Sequence, residues 1–145
     1  MSERHPHMPE PEKALPEQPG AALTSVDMST EADIEGRAGQ RAQISNAMVA
    51  LKKRFYGKGP ERARSYIMDD YVFCAMEGGL MRSEEVLVEA GQHQAVRQYR
   101  LLFQEAMTKT VTEAVEQIMG RRVIGYHSQI TFEPTRTFEI FVLEP

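Results

Sequence analysis

The chain has one cysteine, Cys74, no tryptophan and no long uninterrupted run of apolar residues. A single cysteine excludes an internal disulfide and a cysteine-based zinc site, and it fits a reducing compartment such as the cytoplasm. The absence of eighteen or more consecutive apolar residues argues against a membrane-spanning helix. The N-terminus lacks the apolar core of a signal peptide. We therefore expect a cytoplasmic protein, with any contact to the inner membrane made through a partner.

Charge is distributed unevenly along the chain. Residues 1–36 hold eight acidic and two basic residues, whereas residues 37–145 hold fifteen basic and thirteen acidic ones. The first segment is also rich in proline, and it cannot bury enough apolar surface to offset the entropy of ordering. We predict a disordered, acidic, Pro-rich tail over residues 1–36 and one folded domain over residues 37–145. The nearly neutral charge of that domain argues against a nucleic-acid binder.

The longest periodic segment runs from Gln92 to Met119. Its apolar residues recur at steps of three and four, which predicts one long amphipathic helix with charged residues, Arg100 among them, mostly on the opposite side. Such a helix would be roughly 42 Å long, whereas a four-stranded sheet is only about 15–20 Å across. We therefore expect the helix to overhang its sheet or to break near Thr108, Thr110 and Thr112, because threonine is a poor helix former.

Two hairpins and two further helices complete the prediction. In chain order we expect a helix over Arg37–Phe55, a single turn over Glu61–Arg64, a hairpin of Ser65–Met68 and Tyr71–Met76, a short helix capped by Ser83, the long helix, and a hairpin of Arg121–Thr131 and Thr137–Leu143. The order αββαββ predicts an α+β fold: a four-stranded antiparallel sheet with the two main helices packed on one face.

Two helices can cover only one face of such a sheet. Apolar residues occur on both sides of the strand Tyr71–Met76 and of the final strand, which predicts that one apolar face stays open. We assign Tyr71, Phe73, Phe141 and Leu143 to this open face. Exposed apolar patches of this kind mark association surfaces, so we predict a homodimer or an obligate protein partner on the open sheet face or on the overhang of the long helix.

Basic residues cluster around the glycine loop that follows the first helix. We select Lys58, Gly59, Arg62 and Arg64 as a candidate anion site, because a flexible glycine loop with nearby cations can hold a phosphate or a carboxylate. The loop lacks the spacing of a P-loop. Lysines also gather at the C-terminal end of a helix without any ligand, so compensation of the helix dipole is the competing interpretation.

The remaining chemistry-bearing residues form no catalytic pattern. Asp69 and Asp70 suit a hairpin turn, Glu77 suits a strand end, and His127 has no sequence-linked nucleophile. No dinucleotide fingerprint, zinc pattern or kinase signature is present. We predict no catalytic residue, no metal ligand and no cofactor, while a small enzyme that uses Glu77, His127 or the Asp pair is the third hypothesis.

Several short blocks together resemble one known family. In chain order they are Ile44-Ser45-Asn46-Ala47, Tyr56-Gly57-Lys58-Gly59-Pro60, Glu77-Gly78-Gly79-Leu80, Leu87-Val88-Glu89-Ala90-Gly91 and Phe141-Val142-Leu143-Glu144. Over residues 40–145 they resemble the MpsC-type domain. The resemblance implies the small third component of a bacterial membrane-potential-generating system linked to cation transport and inorganic-carbon uptake. The other components are a membrane subunit and a large soluble one, and no catalytic residue is implied.

The expected function follows from the resemblance, the missing catalytic pattern and the surplus of apolar sheet surface. We expect a non-enzymatic accessory or regulatory protein that works through protein contacts, with a membrane cation-transport or inorganic-carbon uptake complex as the partner class. The alternative is a module that senses a small anion or a nucleotide at the basic glycine loop.

Overall fold

A computed structural model of the protein describes residues 30–145. Within these residues the structure has three helices and four strands: α1 (Glu31–Tyr56), β1 (Arg62–Met68), β2 (Tyr71–Glu77), α2 (Arg82–Glu89), α3 (His93–Met119), β3 (Val123–Thr131) and β4 (Arg136–Leu143). The predicted α+β class and the order of its main elements are confirmed. The short helix α2 precedes the long helix α3, as expected.

The helix α1 begins earlier than the sequence predicts. The Thr30 hydroxyl accepts a hydrogen bond from the Asp33 amide at 3.2 Å, and the Asp33 carboxylate accepts one from the Thr30 amide at 3.3 Å. This reciprocal cap starts the helix at Glu31. The helix therefore extends into residues 31–36 of the predicted tail, while residues 1–29 of that tail lie outside the described residues.

The four strands form one antiparallel sheet in the order β1-β2-β4-β3. The two hairpins therefore meet through their second strands, and β1 and β3 form the edges. The predicted turn over Glu61–Arg64 is wrong, because β1 already starts at Arg62. The Glu61 amide donates to the Glu77 carbonyl at 2.9 Å, which continues the strand pairing instead of a helical turn.

Both long helices pack on the same face of the sheet. The helix α1 lies against β1 and β2, α3 lies against β3, and the two helices contact each other. The core between these layers includes Ile44, Met48, Val72, Cys74, Met76, Met107, Val111, Val115, Phe141 and Leu143. The other face of the sheet carries no helix of the described chain.

The side chains of the final strand β4 lie on the opposite faces of the sheet from those predicted. Phe141 and Leu143 are 0% exposed and belong to the core under the helices, so their assignment to the open face is wrong. Both sides of β4 are apolar, and alternation alone therefore does not say which side faces inward. The open face instead receives Phe138, Ile140 and Val142 from this strand, and it receives Tyr71 and Phe73 from β2 as predicted.

The long helix α3 is continuous. Its threonine hydroxyls bond back to the preceding turn: Thr108 donates to the Gln104 carbonyl at 2.8 Å, and Thr112 donates to the Thr108 carbonyl at 2.7 Å. These bonds satisfy the hydroxyls within the helix. The expected break is therefore absent.

The orientation of β4 is tested by truncating one phenylalanine on each of its sides. We expect Phe141→Ala to lower the free energy of unfolding by about 3–5 kcal/mol, because it opens a cavity in the core. Phe138→Ala, the matched control on the open face, is expected to cost clearly less. Urea denaturation at low protein concentration measures both. An equal or larger loss for Phe138→Ala would contradict the assignment of the two faces.

Candidate functional site

Two glycine segments pack together beside the C-terminal end of α1. Gly57–Pro60 follows that helix, and Gly78–Gly79 follows β2. Gly79 adopts a φ of +85°, and a Cβ at this position would lie 3.2 Å from the Cα of Pro60. Only glycine permits both the conformation and the close approach. The two segments, 20 positions apart in the sequence, therefore form one corner of the molecule.

The ring of Tyr56 lies at the centre of this corner. The Arg100 guanidinium carbon is 4.3 Å from the ring centroid, and the Lys52 ammonium is 5.3 Å from it. The ring of Phe103 packs at 4.5 Å between centroids. Cations over an aromatic face are held by the ring quadrupole. Burial raises the pKa of Tyr56 to about 12, so its hydroxyl stays neutral at physiological pH.

A buried ion pair joins α3 to α2. Nε and Nη2 of Arg100 each donate to the Glu84 carboxylate at 2.7 Å, and Nη2 also donates to the Gly79 carbonyl at 3.2 Å. Glu84 in turn accepts from the Met81 amide at 3.0 Å and caps α2, so Ser83 is not the cap. Burial alone would lower the pKa of Arg100, but the bonds and charge of Glu84 raise it. The pair fixes the corner to both helices.

A second buried ionic cluster lies under α1. Glu139 of β4 is 0% exposed, and its carboxylate lies 2.8 Å from the Lys52 ammonium. It also accepts hydrogen bonds from Ser128 at 3.0 Å and from Tyr126. Burial and the charge of Glu139 raise the pKa of Tyr126. Three donors from two elements therefore satisfy one carboxylate inside the core.

An open cleft lies between these two ion pairs. Its volume is about 180 Å³, and α1, α3, β3 and β4 all contribute to its walls. The polar lining residues are Lys52, Tyr56, Arg97, Arg100, Gln104, Ser128, Gln129 and Thr137. The sequence prediction missed this site. Arg100 was placed on the solvent side of the long helix, and Glu139 had no partner in the sequence pattern, although a lone glutamate inside an apolar strand is a usable signal.

The four predicted anion ligands do not form one site. Lys58 is exposed, and its ammonium lies 3.7 Å from Glu85. Gly59 lies under α1, where a Cβ would meet Lys53. Arg62 and Arg64 are on the opposite face of the sheet, where they share a depression of about 210 Å³ with Arg136. The four residues of the predicted anion site are therefore divided between the helix-covered side and the open side of the sheet.

The residues considered for catalysis also lie apart. Glu77 and Asp70 are at opposite ends of the β1–β2 hairpin, and His127 is in the middle of β3. Asp70 binds Arg121 at 2.6 Å across the neighbouring turn. Among residues 30–145, no three His, Cys, Asp or Glu side chains converge as a metal site. No helix in this part of the chain has the length and apolar character to cross a membrane.

A match to a protein-family model shows the family of this chain. A family model described as "Na+-translocating membrane potential-generating system (MpsC)" matches residues 38–145. This chain belongs to the MpsC family. A protein of Bacillus subtilis (strain 168) with the name "Uncharacterized protein YrhF" is 26% identical over 104 residues, which span 70% of this chain and 85% of that protein. No solved structure matches the chain.

The MpsC-matched region contains every residue of the corner and the cleft. Tyr56, the Gly57–Pro60 loop and the Gly78–Gly79 loop all lie within residues 38–145. They belong to two of the five blocks on which the resemblance of the sequence to the MpsC domain rests. The structure thus brings together segments that the sequence shows only as separate short blocks.

The buried ion pair of Lys52 and Glu139 is tested by removing its cation. We expect Lys52→Met to lower the free energy of unfolding by about 3–5 kcal/mol, because it leaves Glu139 charged and unpaired in the core. The neighbouring exposed lysine gives the control, since Lys53→Met should change stability by less than about 0.5 kcal/mol. Adding Glu139→Gln to Lys52→Met should restore much of the loss. Urea denaturation measures the free energy of unfolding of each variant. A loss for Lys52→Met as small as that for Lys53→Met would contradict the pairing of Lys52 with Glu139.

Proposed function

We propose that this protein is a non-enzymatic accessory or regulatory subunit that acts through protein–protein contacts. Its proposed partner is a membrane cation-transport or inorganic-carbon uptake complex, which places the protein in the cytoplasm at the inner membrane. The description of the MpsC family, which names a Na+-translocating membrane-potential-generating system, supports the partner class. The observation that carries the mode of action is the uncovered apolar face of the sheet.

The open sheet face consists of the side chains that point away from α1 and α3. Its apolar members are Tyr66, Met68, Tyr71, Phe73, Phe138, Ile140 and Val142. The rings of Tyr66 and Phe73 lie 6.1 Å apart, and those of Phe73 and Phe138 lie 5.7 Å apart, so an aromatic row crosses three strands. Met68 and Tyr71 are 65% and 51% exposed. An apolar face of this extent favours association.

A second copy of the chain is the occupant that we propose for this face. One end of the face carries Arg62, Arg64 and Arg136, and the depression that these arginines line contains one acid, Glu77. The other end carries the exposed Asp69 and Glu144, while Asp70 is already paired with Arg121.

A two-fold axis across the strands places the arginine end of each copy against the acidic end of the other. The aromatic rows then meet at the centre of the interface. Sheets pack face to face in this way at about 10 Å, and a two-fold interface buries the same patch on both copies.

Self-association is tested with one lysine on the open face. We expect Tyr66→Lys to raise the dimer dissociation constant at least about tenfold, because it buries a charge in the aromatic row. Leu102→Lys is the matched control: it places the same charge on an exposed apolar position of α3 and should leave the constant unchanged. Sedimentation equilibrium measures both. A monomeric wild type, or loss of association in Leu102→Lys alone, would argue against the open sheet face.

The link to a membrane complex is tested by copurification in mild detergent. We expect the tagged full chain to retain an integral membrane subunit of a cation-transport complex, which mass spectrometry identifies. The tag alone is the control and should retain none. Recovery of the protein without any membrane subunit would count against this part of the proposal.

A further inference from the structure

We propose that the cleft between α1, α3, β3 and β4 binds a compact organic anion. This site is separate from the open sheet face, because it lies on the helix-covered side of the sheet. It also differs from the basic glycine loop of the sequence prediction. Lys58 and Gly59 do not line the cleft, and Arg62 and Arg64 belong to the other face.

The first argument is the sign of the charge that the cleft presents. Three of its lining residues are basic, namely Lys52, Arg97 and Arg100, and none is acidic. The carboxylates that balance two of these cations, Glu139 and Glu84, are buried behind the surface and satisfied by other donors. A ligand in the cleft would therefore contact the cations directly, whereas the cations would separate it from the carboxylates. This arrangement attracts an anion.

The second argument is the supply of preorganised donors. Nε and Nη2 of Arg100 donate hydrogen bonds to Glu84 and Gly79. Nη1 of Arg100 has no acceptor among residues 30–145. The ion pair with Glu139 holds Lys52 in place at 13% exposure. Thr137 lines the same space, as does Ser128, whose hydroxyl already donates to Glu139. Groups fixed before the ligand arrives lose little freedom on binding, which favours affinity.

The third argument concerns the body of the ligand. Leu101, Ile130 and the ring of Tyr56 form apolar walls next to the cations. A bare inorganic ion would leave these walls in contact with water, whereas a short apolar group would cover them. The volume of about 180 Å³ is below that of sites for drug-sized ligands, which start at about 300 Å³. Size, walls and charge together specify a small carboxylate or phosphate ester with a compact apolar group.

Benzoate and its neutral isostere benzamide provide a direct test. We expect benzoate, in the millimolar range typical of ligands of this size, to shift the backbone amide signals of Gln104, Ser128 and Thr137 in an NMR titration of the full chain. Benzamide at the same concentrations should not shift them, because it has the same shape without the charge. Phenyl phosphate is the parallel probe that separates phosphate esters from carboxylates.

Two matched variants locate the site without disturbing the buried ion pairs. Gln104→Glu adds a negative charge to the cleft wall and should weaken benzoate binding about five- to tenfold. Gln117→Glu makes the same change at an exposed position of α3 outside the cleft and should leave the affinity within a factor of two. The proposal is overturned if neither benzoate nor phenyl phosphate causes shifts, or if benzamide causes the same shifts. It is equally overturned if the shifts centre on Arg62, Arg64 and Arg136, or if Gln104→Glu binds as tightly as the wild type.

Discussion

Two helices can cover only one face of a four-stranded sheet, and the architecture of this protein depends on that limit. The central strands β2 and β4 carry apolar side chains on both sides, so covering one side buries Val72, Phe141 and Leu143 and leaves Phe73 and Ile140 uncovered. Uncovered apolar surface favours association, since burying it removes it from water. The helix-covered side forms the stable core, and the other side provides the proposed contact surface. The difference between the two faces follows from the packing geometry of the sheet and its helices.

The helix-covered side has its own polar organisation. Two buried ion pairs, Lys52 with Glu139 and Arg100 with Glu84, each place a cation over the ring of Tyr56. Ion pairs inside a protein add little net stability, because desolvation offsets most of their attraction. They do fix the positions of their cations, and in this molecule those cations line a cleft that four elements share. A role in holding a ligand explains their placement better than a role in stability alone.

The sequence predicts the helices and strands of the fold. It does not predict which side of each strand faces the helices. The period of 3.6 located α3 to within one residue, and the Asp69-Asp70 turn fixed the first hairpin. Alternation in β4 is ambiguous because both sides are apolar, so the inward side depended on the partner of Glu139, 87 positions away at Lys52. Arg100 was likewise misplaced, because its partner Glu84 lies on another helix. Pairings of this kind are tertiary, and periodicity along one element does not contain them.

The central claim is that the uncovered side of the sheet is an interface and the other side a core. Solvent paramagnetic relaxation of methyl protons tests it directly, with a water-soluble nitroxide and a protein dilution series. We predict that Leu143 methyl signals are protected at every concentration. Signals of Ile140 and Val142 should be protected only in concentrated samples and become accessible on dilution. Methyl groups of Ile140 and Val142 that remain fully accessible at the highest concentration would contradict it.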